Sequence, residues 1–238
     1  MAAVLLPAIV LLGSSVQWLT GMGFALVAVP ALVLLLGPSD GVVLANCAAG
    51  AICVVGLAGG WRQVRPAAMV PLCAAAACTV PAGTWLTRQL PEPELLLVMG
   101  GLVTAAVLLV MRGVRVAALR GTRGAVAAGA LGGFMNSAAG VGGPPISLYA
   151  VNAGWTVREF VPNAMFYGVI VNAFSVASNG LPELSAAQWA SVVTAMAVGG
   201  VIGRGLAGRI PETRARQLVL SLALVGGVTA VGKGLWGL

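Results

Sequence analysis

Two glycine-centred stretches interrupt an otherwise lipid-soluble chain: GSSVQWLTGMGF at 13–24 and GGFMNSAAGVGGPP at 132–145. In the second, Gly140, Gly142 and Gly143 permit positive φ and close backbone approach. Pro144 and Pro145 suit the first turn of a helix, where a missing N–H is harmless. A helix restarting there leaves backbone N–H groups unpaired at the positive end of its dipole, which is chemistry for holding an anion. Gly21 and Gly23 offer a second cradle of the same kind. Polar side chains inside apolar stretches are expensive and therefore informative. Gln17, Asn46, Asn136, Ser137 and Asn163 extend the donor set, because amides and hydroxyls donate to oxyanions without adding charge. The candidate substrate-binding set is thus Gln17, Gly21, Gly23, Asn46, Asn136, Ser137, Gly140, Gly142, Gly143, Pro144 and Asn163. Thr20, Tyr167 and Asn172 are further polar residues in apolar surroundings, Asn172 being read as a bond to a neighbouring helix. Against all of these stands a plainer alternative: glycines that only pack helices and amides that only bridge them.

Other chemistries are poorly supplied. The chain has no histidine, and Asp40, Glu92, Glu94, Glu159, Glu183 and Glu212 fall in loops or at span ends. No proton relay, aspartate pair or Ser–His dyad can be assembled inside the membrane, so no catalytic residue and no enzyme is expected. Cys47, Cys53, Cys73 and Cys78 lack CxxC spacing and histidine partners. They are read as small packing residues, with no metal site and no cofactor.

What must position the two cradles is a bundle of membrane helices. Of 238 residues, 59% are hydrophobic and 8% charged, and charge-free runs of spanning length recur along the chain. The N-terminal apolar run lacks a basic flank, so it is expected to be part of the first membrane element rather than a cleaved signal. Charges, prolines and glycines divide the chain at 2–36, 42–60, 66–86, 95–111, 124–153, 160–179, 186–206 and 215–236. Six of these have ordinary spanning length. The first and fifth, as unbroken helices, would run ~52 and ~45 Å against a hydrocarbon core of ~30 Å. Both overlong elements carry the glycine clusters.

An internal repeat follows from the same coincidence. A shift of 119 places Gly21 and Gly23 on Gly140 and Gly142, and Gln17 on Asn136. A shift of 120 aligns GTWLTRQLPE at 83–92 with GRGLAGRIPE at 203–212. The expected organisation is a first repeat at 1–111, a basic cytoplasmic linker at 112–123 and a second repeat at 124–238. Arginine placement decides the orientation. If all eight elements cross, 7 Lys/Arg lie inside and 6 outside; if the first and fifth are re-entrant hairpins, 11 lie inside and 2 outside. The positive-inside rule selects the second arrangement. The fold class is then an all-α polytopic membrane protein of two inverted repeats, each with one broken, re-entrant helical hairpin plus three transmembrane helices. Both termini are expected outside, and the two half-helix cradles are expected to meet at the bilayer midplane.

The expected partners are a small anionic solute and the lipid bilayer, with a homodimer allowed. The net charge of +7 is assigned to loops that hold topology and not to nucleic acid. An interior-negative potential favours outward movement of a monovalent anion by ~2.3 kcal/mol per 100 mV, and no charged coupling residue is visible. Facilitated export across the cell (inner) membrane is the expectation. An importer of an organic sulfonate or carboxylate, a small anion channel and a purely structural subunit are the alternatives.

GFMNSAAGVGGPPISLY at 133–149 resembles the glycine-rich motif of the sulfite exporter TauE/SafE family. PAGTWLTRQLPEPELLLVMGGLV and GGVIGRGLAGRIPETRARQLVLSLALV resemble that family's third-to-fourth helix junction, so the resemblance runs through both halves. It implies a transporter of small sulfur-containing anions: sulfite, sulfoacetate, other organosulfonates or thiosulfate. Gly140, Gly142, Gly143 and Pro144 match the family motif. The first half departs from it, with Phe24 where a second consecutive glycine is common, which implies a tighter cradle there.

Overall fold

Proline and glycine set most helix ends in the computed structural model, which describes residues 2–21, 23–112, 120–207, 209–210 and 212–237. Ten α-helices are present among them: α1 Ala2–Thr20, α2 Phe24–Leu36, α3 Pro38–Leu57, α4 Pro66–Gln89, α5 Glu92–Met111, α6 Gly121–Ala139, α7 Gly143–Asn152, α8 Val157–Asn179, α9 Ala186–Leu206 and α10 Glu212–Trp236. Helices α3, α4 and α5 each start with proline in the first turn, where its fixed φ is already helical and its absent N–H is not missed. This moves the start of α3 back to Pro38 and that of α5 to Glu92, ahead of the positions expected from sequence. Thr156 and Ser185 open α8 and α9 with reciprocal capping boxes to Glu159 and Gln188.

Helices α3, α4, α5, α8, α9 and α10 are long and apolar enough to cross a membrane. These are the six elements of ordinary length. The two overlong elements are broken where the glycines fall, between α1 and α2 and between α6 and α7. Gly21 and Gly140, with φ of 75° and 66°, turn the chain in a region closed to most side chains. Each break folds the chain back on itself. A Cβ on Gly13 would lie 3.1 Å from Ala28, and one on Gly142 would lie 2.9 Å from Asn136. The linker expected at 112–123 lies, for residues 113–119, outside the described residues.

The helices pair across the halves. α1 packs on α9, α6 on α4, α3 on α8 and α5 on α10. Exchanging α1–α5 for α6–α10 turns this set of pairs into itself. The correspondence extends to single residues. A Cβ on Gly83 in α4 would lie 2.5 Å from the carbonyl of Phe134 and would also strike Ser137. A Cβ on Gly203, 120 residues on in α9, would strike the carbonyl of Ser15 and lie 2.8 Å from Trp18. Those two residues are 119 positions before Phe134 and Ser137. Small residues here let backbones touch, which is how helices without a hydrophobic drive between them gain packing energy.

One position shows how the two interfaces differ. Gly133 presses on Ala76, whereas its counterpart Ser14 donates to the carbonyl of Met196 at 2.8 Å. Ser14→Ala removes that bond and is expected to lower stability by about 0.6 kcal/mol, the average for interhelical hydrogen bonds in bilayers. Thermal unfolding of the purified variant checks this; a loss several times larger contradicts it.

Along α3 and α8 the contacts run antiparallel, with Gly50 against Asn172 and Gly56 against Met165. α1 runs parallel to α9, and α6 to α4. Following these directions, the starts of α4, α6 and α8 and the ends of α3, α5 and α9 share one end of the bundle. That end carries Arg62, Arg65, Arg112, Arg120, Arg123, Arg158 and Arg204. Arg88 and Lys233 stand at the other end, where Lys233 faces Glu92 at 4.0 Å.

Candidate functional site

Both breaks line one central cavity of about 80 Å³. From the first hairpin come Gln17, Gly21, Gly23 and the opening residues of α2. From the second come Asn136, Gly140, Gly142, Gly143 and Pro144. α8 adds Tyr167, Gly168 and Asn172, and α3 adds Cys53. Among the described residues that line it, none is charged.

The backbone amides at the breaks are not bare, as sequence reasoning had them. The Gln17 side-chain oxygen accepts from the N–H groups of Gly23 at 2.8 Å and Phe24 at 2.9 Å. The Asn136 side-chain oxygen accepts from Gly142 at 3.2 Å. In each hairpin, an amide side chain six residues upstream of the restart glycine therefore closes the turn. The physical reason is the penalty on a buried, unpaired N–H, which a local acceptor removes. Capping leaves fewer donors than expected. Helical bonding in α2 begins with Val27 donating to the carbonyl of Gly23, so the N–H groups of Ala25 and Leu26 have no helical acceptor among the described residues. In α7, Pro144 and Pro145 carry no N–H, and Gly143 alone remains of the opening residues.

The two hairpin turns lie toward opposite ends of the bundle. Gly21 stands against Val161, one turn into α8, and Gly140 against Val42, one turn into α3. α2 and α7 start from opposite ends and pass each other. The positive ends of their dipoles consequently face opposite ends of the bundle and not each other.

Three residues of the candidate set lie outside the cavity lining. Ser137 donates to the carbonyl of Val80 at 2.8 Å and fastens α6 to α4. Asn163 accepts from the Arg65 N–H at 2.8 Å and donates to the Glu159 carbonyl at 2.6 Å, securing the basic end beside the Arg65–Glu159 ion pair. Asn46 stands behind the cavity and donates to the Asn136 carbonyl at 3.3 Å. Asn136 is the hub of this layer, donating to Asn172 at 3.1 Å and Ser175 at 2.9 Å. Asn172 and Tyr167, polar residues that sequence reasoning kept outside the set, do line the cavity. Their signal was a polar side chain in an apolar helix; helical phase relative to the hairpins, invisible in sequence, decides which such residues face inward.

A second cavity, of about 150 Å³, adjoins the first through Leu26 and Pro144, which line both. It lies toward the arginine-rich end, between Val107 and Val110 of α5, Ser147 of α7 and the Trp155–Phe160 segment.

The profile of the family described as sulfite exporter TauE/SafE matches residues 5–230, nearly the whole chain and both hairpins. The chain belongs to the sulfite exporter TauE/SafE family. Membership implies a membrane transporter of sulfur-containing anions, in keeping with six span-capable helices around an uncharged, donor-lined cavity. Comparison with curated proteins and with solved structures found no match.

Proposed function

We propose that this TauE/SafE member exports a small sulfur oxoanion of sulfite size across the cell (inner) membrane. The repeats at 1–111 and 124–238 act as inverted halves around the central cavity. The observation that carries this reading is the convergence of both broken hairpins, one from each half, on a single cavity without charged side chains. A water-sized group needs ~10–15 Å³ of such volume, so the cavity admits roughly five to eight of them and eight only at its limit. Sulfite has four heavy atoms and sulfoacetate eight, which favours the smaller cargo. The arginine-rich end is the cytoplasmic one by the positive-inside rule, and the adjoining cavity then serves as an intake from the cytosol. At the other end, Leu32, Val43 and Met99, counterparts of Val151, Phe160 and Val219 in that intake, are buried. An intake open on one side and packed on the other is what a carrier in its inward-facing state requires, and it disfavours an open channel.

Proteoliposomes loaded with sulfite test the direction. Efflux is expected to accelerate when the compartment facing the arginine-rich end is made negative, without a sodium or proton gradient, and to vanish in Gly142→Val. Flux that opposes the potential and depends on sodium or protons sinks the export reading.

A further inference from the structure

Tyr167 is buried, with 2% of its surface exposed, and its hydroxyl has no hydrogen-bond partner among the described residues. A buried hydroxyl without a partner is costly and calls for a reason. The hydroxyl lies where α8 meets α6 and the second break. Its space is kept by Gly132, on which a Cβ would collide with the Tyr167 oxygen and come within 3.1 Å of the Gly142 carbonyl. Tyr167 and Gly142 both line the central cavity.

The donors left over for a solute are therefore few and neutral. Among the described residues they are the Tyr167 O–H and the second amide hydrogen of Asn172 on α8, the Gly143 N–H on one hairpin, the N–H groups of Ala25 and Leu26 on the other, and the weakly donating Cys53 thiol on α3. The ionisable side chains lining the cavity are Cys53 and Tyr167, a thiol and a phenol, types that ordinarily titrate above neutrality. Among the described lining residues there is no cation to face the solute. The penalty for removing an ion from water grows with the square of its charge, and a dianion without a countercharge must recover it from a dense shell of donors. A handful of neutral donors spread over two hairpins, α3 and α8 are not such a shell.

We infer that the site selects singly charged oxoanions, with the Tyr167 hydroxyl as the group that holds them. The inference rests on the anion reading above and narrows it: sulfite crosses as hydrogensulfite, HSO₃⁻, carrying its proton along and moving one charge per ion. Fully charged sulfate and thiosulfate are turned away although sulfate fits by size.

Methanesulfonate and sulfate separate charge from size, since each has five heavy atoms and they differ by one unit of charge at neutral pH. Thermal unfolding of the purified full-length protein is read in the presence of each ion, with sulfite as a third. Methanesulfonate is expected to raise the midpoint with an apparent Kd at least about tenfold lower than that of sulfate. Tyr167→Phe is expected to lose most of that ligand-induced shift while its ligand-free midpoint stays level or rises, because an unpartnered buried hydroxyl has been removed. A merely structural tyrosine gives the opposite pattern. Gly132→Ala, which pushes on the same oxygen, is expected to weaken methanesulfonate binding as well. Sulfate binding as tightly as methanesulfonate overturns the single-charge inference and leaves the anion reading in place. An unchanged shift in Tyr167→Phe overturns the role of the hydroxyl. No shift with any of the three ions removes the anion reading and the inference together.

Discussion

Asn136→Leu is expected to abolish transport and to lower stability by roughly 3–5 kcal/mol, several buried polar groups being orphaned at about 1–3 kcal/mol each. The wild-type side chain accepts from Gly142 N–H and donates to Asn172 and Ser175, so one amide joins the second hairpin to α8. Leucine fills similar space and satisfies none of these atoms. Gly142 N–H then lies buried without an acceptor, and the turn that shapes the cavity loses its tie. Ser137→Ala is the control. Its neighbouring hydroxyl is just as buried but bonds only carbonyls of α4 and α6, which have other donors. That variant is expected to cost about 0.5–1.5 kcal/mol and to keep its flux. Flux assays and thermal unfolding on both proteins decide the matter; equal behaviour of the two refutes the assignment of Asn136 as the hub.

Gly129→Leu is expected to prevent accumulation of folded protein altogether. A Cβ there would collide with the carbonyl oxygen of Leu72 and lie 2.8 Å from its carbonyl carbon, so the obstacle is backbone and not a side chain that can rotate away. Overpacking that side chains can absorb costs about 1–3 kcal/mol. Here the α4–α6 pair must separate along its length, and the expected loss exceeds that range. Gly101→Leu on α5 is the matched comparison, since nothing lies within 4 Å of a Cβ at that site. It is expected to fold and to change stability by no more than about 0.5 kcal/mol, as surface substitutions usually do. Detergent extraction followed by size-exclusion chromatography reads both outcomes. A monodisperse Gly129→Leu peak contradicts the close α4–α6 approach.

Much of the helical plan was legible in sequence because it follows from one-dimensional quantities. Length against bilayer thickness, together with glycine placement, located both breaks to within a few residues. The equal spacing of Gln17 and Asn136 before those breaks was visible too. Their task was not: the oxygens cap the hairpins' own amides, a short-range bond that spacing permits but does not announce. The cross-pairing of α1 with α9 and α6 with α4 left no periodic signal either. Spanning helices are apolar all round, so no stripe marks the face that packs. For the same reason Ser137 and Asn163 were grouped with Asn136, although they point to other neighbours. The slot that Gly132 keeps for the Tyr167 hydroxyl joins residues 35 positions apart on different helices, and only the folded structure brings them together.

The pairing of α1 with α9 has a bearing on how the chain is made. Ser14 and Met196, which bond each other, are separated by 182 positions. At ribosomal speeds of about 5–20 residues per second, roughly ten to forty seconds pass between their syntheses. α6 emerges to find α4 already waiting, whereas the leading hairpin must reside in the nascent bilayer without its dock. Its Gln17 bonds to Gly23 and Phe24 are local and form before any partner is translated, so the polar turn is shielded through that interval.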